Sequence, residues 1–139
     1  MLLFKKLHKD AVLPKTALPG DAGRDMTAVS IEYYNSYVEY ATGVACEIPP
    51  GHVGLLFARS SVTNKDLILK NAVGVLDSSY RGEIKFRFYR TNGVKSNVYG
   101  VGDRIGQLVV MPINTDTEAW AEELSDTTRG TSGYGSTGA

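Results

Sequence analysis

The strictest constraint on the fold of this chain is a two-residue alternation in residues 83–89, whose sequence is EIKFRFY. Apolar Ile84, Phe86 and Phe88 alternate there with charged side chains. Side chains two residues apart lie on the same face of a β-strand, whereas a helix repeats every 3.6 residues. The alternation therefore predicts a strand with one buried face.

Short apolar runs with turn residues between them recur about every ten residues, which is typical of a sandwich or barrel. Their lengths favour strands over helices. The runs are residues 53–57, 73–76 and 108–113, together with residues 29–40 and 44–48, where Asn35 and Ser36 indicate a hairpin turn. We expect an all-β fold. A short helix at residues 63–69 and a strand at residues 117–124 complete the prediction.

Length and charge narrow the class of protein. The 139 residues fit one domain, and the 15 basic and 15 acidic side chains cancel, so no global field would draw the chain to nucleic acid or an anionic membrane. No apolar run reaches the roughly 20 residues of a membrane span. Cys46 is the single cysteine, which excludes an intrachain disulfide and fits a reducing compartment. We expect a cytoplasmic protein that binds neither membrane nor nucleic acid directly.

The composition changes at residue 125. Residues 125–139 are rich in glycine and hydroxyl side chains and hold one aromatic ring, so they bury too little apolar area to offset their ordering entropy. We therefore divide the chain into a β domain, residues 1–124, and a flexible arm, residues 125–139. Arg129 and Tyr134 are unusual in a plain linker, because they suit phosphate binding and base stacking.

Five short segments combine glycine with polar and charged residues. They are residues 22–28 (AGRDMTA), 58–62 (ARSSV), 71–83 (NAVGVLDSSYRGE), 102–109 (GDRIGQLV) and 129–138 (RGTSGYGSTG). Each alone has an ordinary explanation as a turn or a strand end. Together and in this order, they resemble the five motifs of the trimeric dUTPase family across essentially the whole chain.

The resemblance implies a jelly-roll-type β-sandwich that forms a homotrimer with active sites at subunit interfaces. It implies hydrolysis of dUTP to dUMP and pyrophosphate. In the third segment, Asp77 matches the general base that activates the attacking water. Tyr80 matches the residue that packs against the deoxyribose and excludes a 2′-hydroxyl. Asn71, with the backbone at Gly74 and Val75, would read the uracil edge.

The same resemblance assigns the phosphate contacts to Arg59, Ser60 and Ser61 in the second segment and to Gln107 in the fourth. Asp25, Arg104 and Arg81 would be structural supports; for Asp25 and Arg104, a plain salt bridge is the alternative.

The arm of another subunit would close over the site. It would bring Arg129 to the γ-phosphate, Tyr134 to the uracil ring, and Gly135 and Ser136 to the phosphates. Mg²⁺ is implied as the cofactor. No side chains are spaced like a metal cage, so we expect the triphosphate and waters to hold the ion.

Two further readings of the sequence stay open. A dCTP deaminase resembles the same fold, but its chemistry calls for a glutamate late in the strand where this chain has Arg87. A regulatory protein that responds to nucleotide is the other, and its protein partner could dock on residues 32–40 or 92–97, which match no motif. Ala58 and Gly106 also depart from the family, which commonly has proline and alanine there; Tyr134 replaces the more usual phenylalanine.

Overall fold

The computed structural model describes residues 1–133 and contains ten strands in that range. They are β1 (Leu3–Lys6), β2 (Arg24–Thr27), β3 (Ser30–Tyr33), β4 (Tyr37–Ala41), β5 (Val44–Glu47), β6 (His52–Phe57), β7 (Leu67–Leu69), β8 (Gly74–Leu76), β9 (Lys85–Arg90) and β10 (Arg104–Pro112). Two short 3-10 helices, Ser60–Asn64 and Gly93–Lys95, are the helical elements of this part of the chain. The all-β prediction is confirmed.

The strands form two four-stranded antiparallel sheets and a smaller pair. One sheet has the order β2-β10-β6-β8, the other has the order β3-β4-β9-β7, and β1 pairs with β5. Each large sheet contributes one apolar face to a shared core. Met26, Leu56 and Leu108 come from the first sheet, and Tyr40 and Phe88 come from the second. Two sheets that bury their inner faces against each other make a β-sandwich.

Strand β9 has the alternation that the sequence indicates. Phe86 and Phe88 are buried, and Lys85 and Arg87 lie on the opposite, exposed face. The hairpin of β3 and β4 also forms as expected, with the Tyr34 amide donating to the Tyr37 carbonyl at 2.9 Å. These predictions succeed because period-two burial is fixed by strand geometry.

Two predictions of secondary structure were wrong. Residues 63–69 do not form one helix: the 3-10 helix Ser60–Asn64 ends there, and β7 follows as a strand. Leu67 and Leu69 are buried on one face while β7 pairs with β9, so burial against the core overrides the local helix propensity. Residues 117–124 form no strand, and Trp120 in this stretch is fully exposed. Within residues 1–133, no neighbouring strand forms backbone hydrogen bonds with this stretch, and an apolar side chain alone does not make it a strand.

The two sheets approach each other closely at Gly106. A Cβ atom at this position would overlap the ring of Phe86 from the opposite sheet. The alanine that the family commonly has at the position therefore does not fit this core.

Within residues 1–133, no helix is long and apolar enough to cross a membrane. Residues 114–133 form no helix or strand, and the division into a domain and an arm at residue 125 stays a prediction.

Candidate active site

The turn that connects β7 in one sheet to β8 in the other contains a strained residue. Ala72 has a φ of 58°, which is uncommon for a residue with a Cβ atom. The turn is closed by the Ala72 amide, which donates to the Leu69 carbonyl at 3.1 Å, and by the Val73 amide, which donates to the Asn71 carbonyl at 2.5 Å. The third segment thus holds Asn71 in a fixed turn directly before β8.

A groove of about 610 Å³ lies beside this turn. Its volume is in the range of small-molecule sites. Five residues that the resemblance assigns to catalysis or the nucleoside line it together: Asn71, Gly74, Val75, Asp77 and Tyr80. The chain therefore gathers one half of the expected site in a single concave surface.

A tight turn after β8 fixes Asp77 and Tyr80 relative to each other. The Tyr80 amide donates to the Asp77 carbonyl at 3.0 Å, and the Tyr80 hydroxyl donates to the Glu83 carbonyl at 3.1 Å. A Cβ atom at Gly82 would overlap the Tyr80 hydroxyl. Arg81 donates to the carbonyls of Ser78 at 2.6 Å and Tyr80 at 2.9 Å, so its side chain braces this turn.

A second group of polar residues forms around Asp25 on β2. Arg59 Nε donates to Asp25 Oδ1 at 2.7 Å, and Arg104 Nη1 donates to Asp25 Oδ2 at 2.9 Å. Charge-assisted hydrogen bonds of this kind are among the stronger ones in proteins. One carboxylate therefore orients two guanidinium groups that come from distant parts of the sequence. We call Asp25, Arg59, Ser61, Arg104 and Gln107 the arginine cluster.

Gln107 lies in the same sheet as Asp25, on β10, which pairs with both β2 and β6. Its Nε2 donates to the Ala58 carbonyl at 3.0 Å. A Cβ atom at Gly23 would overlap Gln107 Oε1, so the glycine in the first segment leaves the space that this amide occupies. The first, second and fourth segments thus meet in the fold.

The serines of the second segment begin the 3-10 helix. Ser61 Oγ accepts a hydrogen bond from Arg59 Nη1 at 3.3 Å and lies 2.9 Å from the hydroxyl of Tyr99. Ser60 is exposed beside them. Tyr99 lies outside the five segments, and sequence reasoning missed it.

The two groups of residues do not share one groove in residues 1–133. None of the residues of the arginine cluster lines the groove. Arg129 is exposed, and its Nε donates to the Ser132 carbonyl at 3.0 Å within the arm. Tyr134, Gly135 and Ser136 lie outside the described residues.

Sequence reasoning also missed a charged group in the groove wall. Glu39 on β4 is buried and accepts hydrogen bonds from Lys85 Nζ at 3.0 Å and Arg87 Nε at 2.6 Å. Burial alone would raise the pKa of Glu39, but the hydrogen bonds and charges of Arg87 and Lys85 outweigh it and leave the pKa lowered. No local pattern indicated Glu39, because Lys85 and Arg87 reach it only through the pairing of β4 with β9.

The described residues contain no group of three or more His, Cys, Asp or Glu side chains that could hold a metal ion.

An all-β sandwich with a nucleotide-sized groove, one carboxylate beside an aromatic ring, and a preformed cluster of anion donors defines a nucleotide-binding protein. The chain belongs to the dUTPase family, whose model matches residues 9–138.

Curated relatives share the length as well as the sequence. The deoxyuridine 5′-triphosphate nucleotidohydrolase of Rhodococcus erythropolis is 40% identical over 99% of this chain and 85% of its own length. That of Corynebacterium glutamicum is 41% identical over 96% of this chain and 91% of its own. The chain is therefore an enzyme with dUTP diphosphatase activity.

A solved structure agrees in fold. The dUTPase of Staphylococcus bacteriophage 80alpha with dUpNHpp has a TM-score of 0.89 and 28% identity, covering 100% of this chain and 99% of that chain. These similarities favour the hydrolase over dCTP deaminase. The family also implies a divalent metal, and its substrate is dUTP.

Proposed function

We propose that the protein hydrolyses dUTP to dUMP and pyrophosphate in a Mg²⁺-dependent reaction, by in-line attack on the α-phosphorus of a water activated by Asp77. The observation that carries the proposal is the shared groove of Asp77, Asn71 and Tyr80 in a chain of the dUTPase family. Phosphate transfer of this kind needs positioning and charge neutralisation rather than covalent catalysis, so one general base is sufficient.

Base selection would rest on Asn71 and the backbone of Gly74 and Val75. Uracil offers a carbonyl at C4 and an N3–H donor, whereas cytosine offers an amino group and an unprotonated N3. A fixed set of donors and acceptors that fits uracil leaves buried groups unpaired with cytosine, which costs about 1–3 kcal/mol for each group. The rigid turn at Ala72 supports this role because it limits the adjustment of Asn71.

Sugar selection would rest on Tyr80. The turn hydrogen bond to Asp77 and the hydroxyl bond to Glu83 restrain the ring from both ends. We infer that the ring packs against the deoxyribose and leaves no space for a 2′-hydroxyl. The same restraint would keep the ring at a constant distance from the general base.

The triphosphate would bind to Arg59, Ser60, Ser61 and Gln107. Asp25 and Arg104 would hold these donors in position, because Asp25 already bonds both guanidinium groups. Donors that are oriented before the reaction stabilise charge that develops on the leaving pyrophosphate without reorganising.

We infer a homotrimer from the resemblance to the family, and the separation of the groove from the arginine cluster fits a site that is shared between subunits. We infer that the groove of one subunit faces the arginine cluster of a second subunit, so that a complete site needs both. The arm of another subunit would then supply Arg129, Tyr134, Gly135 and Ser136 and close the site, which excludes water during the reaction.

Mg²⁺ would be held by the triphosphate and waters, and it would neutralise phosphate charge when bound. The donor set fits this arrangement, because carboxylates of the described residues are not grouped into a cage and Asp25 is engaged by two arginines. The protein's own contribution would be to orient the phosphates and the attacking water.

The experiment is pyrophosphate release from dUTP, dCTP, dTTP and UTP, with and without Mg²⁺, by the parent and Asp77→Asn. We expect dUTP to be the preferred substrate, Mg²⁺ to be required, and Asp77→Asn to lower kcat by about 10²- to 10⁴-fold with little change in KM. Asp10→Asn, at an exposed carboxylate outside the groove, is the matched control and should retain parental turnover. Parental turnover by Asp77→Asn would remove the proposed mechanism.

A second candidate function is nucleotide-dependent binding of a regulatory protein. It is favoured by the similarity to the phage 80alpha dUTPase, which belongs to phage dUTPases described as controlling the transfer of virulence genes. The hairpin of β3 and β4 is the candidate surface, since Tyr33 is exposed there. Capture of a partner that depends on both dUpNHpp and this hairpin would support binding. Equal capture after replacement of residues 32–36 would oppose it.

A further inference from the structure

Tyr99 is a buried residue that reaches the arginine cluster from the core. Its relative exposure is 4%, and its hydroxyl lies 2.9 Å from Ser61 Oγ. It follows the 3-10 helix Gly93–Lys95 and precedes β10, in a part of the chain that none of the five segments includes. The Tyr99 hydroxyl therefore connects the buried core to Ser61, which lies beside the arginine that the proposed function assigns to phosphate binding.

Tyr99 is held tightly. The Tyr40 hydroxyl donates to the Tyr99 backbone carbonyl at 3.0 Å, and the two rings meet edge to face with centroids 6.3 Å apart. The Phe88 ring packs at 6.2 Å, and Lys65 Nζ lies 5.2 Å from the centroid of the Tyr99 ring. These contacts fix both the backbone and the ring, so the Tyr99 hydroxyl presents a fixed point to Ser61.

Either hydroxyl can be the donor in this bond, and the hydrogen-bonding inventory of Ser61 shows what each direction would mean for a substrate. A serine hydroxyl has one donor and two acceptor sites. Arg59 Nη1 uses one acceptor at 3.3 Å. If Tyr99 donates to the other acceptor, the Ser61 proton is directed away from the protein interior and can be given to a phosphate oxygen. The reverse direction would use that proton on Tyr99 and leave Ser61 no donor for substrate.

We propose that Tyr99 is a positioning residue of the phosphate site: its hydroxyl donates to Ser61, which aims the Ser61 proton and the Arg59 guanidinium at the triphosphate. The proposal rests on the proposed function, in which Arg59 and Ser61 contact phosphate. It adds a residue that never touches the substrate. Its effect passes through Ser61, so it should disappear when Ser61 loses its hydroxyl.

The test is a double-mutant cycle of Tyr99→Phe and Ser61→Ala on the full chain. We expect Tyr99→Phe to raise KM for dUTP about fivefold, the size of one net hydrogen bond, with kcat within about twofold of the parent. The inhibition constant of dUpNHpp should rise by the same factor, and that of deoxyuridine, which lacks phosphates, should not change. In the Ser61→Ala background, Tyr99→Phe should have no further effect.

Thr42→Val is the matched control, because it removes a buried hydroxyl that donates to the Ile84 carbonyl at 2.7 Å and contacts neither Tyr99 nor the arginine cluster. It should lower thermal stability and leave KM at the parental value. A parental KM for Tyr99→Phe overturns the proposal, and so does an equal rise in KM with and without Ser61. If Asp77→Asn is inactive while Tyr99→Phe has a parental KM, the positioning role fails and the proposed function stands.

Discussion

The groove and the arginine cluster differ in whether their polar side chains are already hydrogen-bonded before a ligand binds. In residues 1–133, the side chains of Asn71 and Asp77 have no hydrogen bond to another described residue, and the groove is shaped by backbone turns. In the arginine cluster, by contrast, Asp25 bonds both arginines at 2.7 and 2.9 Å before any ligand arrives. Under the proposed function, the base would contact side chains that are unpaired before it binds, and the triphosphate would contact charges that are already held in place.

Among substitutions in the arginine cluster, Asp25→Asn should raise KM for dUTP the most. Asparagine can accept from one guanidinium, but its amide nitrogen then faces the other cation and cannot accept a hydrogen bond. Since a hydrogen bond to a charged group contributes about 2 kcal/mol, we expect KM for dUTP to rise about 30-fold. Steady-state kinetics of pyrophosphate release measures this.

The preference for dUTP over dCTP should stay parental in Asp25→Asn, because the groove is untouched. Arg104→Gln removes one of the two contacts and should raise KM less. A loss of base preference in Asp25→Asn would show that the two regions are not independent.

Two identical substitutions sharpen the comparison. Neither Gly23 nor Gly74 has a positive φ, so alanine acts at each through its methyl group alone. Gly23→Ala should displace Gln107 and raise KM for dUTP about tenfold, the cost of leaving a partly buried amide unpaired. Gly74→Ala would place a Cβ atom 3.0 Å from Leu56 Cβ and 3.4 Å from Asn71 Nδ2, so it should instead lower the preference for dUTP over dCTP.

The kcat/KM values for dUTP and dCTP distinguish these outcomes. Gly100→Ala is the control, since its methyl group would meet one atom, Asp103 Oδ2, at an ordinary 3.6 Å. If Gly23→Ala and Gly74→Ala gave the same pattern, the division of labour between the two regions would be wrong.

The smallest effect should come from replacing Glu39, whose ion pairs with Lys85 and Arg87 form part of the groove wall. The folded-state pKa of Glu39 is below its ordinary value of 4.5, so its ion pairs stabilise the fold above that pH and lose this contribution as the pH falls through the folded-state pKa. Glu39→Gln should therefore be less stable than the parent at neutral pH, with a difference that shrinks in acid. Urea unfolding at pH 7 and pH 3 measures it, and a difference independent of pH contradicts it.

Sequence patterns predicted the elements whose burial is set by strand geometry. The alternation in β9 and the hairpin around Asn35 and Ser36 follow from local sequence and turn chemistry. Residues 63–69 were misread, because the partner that makes β7 a strand is β9, about twenty residues away. The strand expected at residues 117–124 does not form for a related reason: no strand of the described residues pairs with this stretch.

The candidate site also contains some residues that local sequence indicates and others that it does not. The motifs predicted roles for Asp77, Arg59 and Gln107 from the sequence, since each lies in a short segment of typical composition, and these roles stay predictions. They could not identify Tyr99 or Glu39, whose roles depend on contacts with residues 38 and 48 positions away. Such contacts are created by the sandwich, so no local pattern contains them.

The tight fit of Gly106 against Phe86 has a consequence for how this lineage can change. A methyl group cannot be added at position 106 while the Phe86 ring is in place, because the two would occupy the same space. A smaller residue at position 86 alone leaves a void, which is costly but survivable. Substitutions at these two positions are therefore ordered: the aromatic side chain at position 86 must become smaller before alanine fits at position 106, and the reverse order passes through an overpacked core.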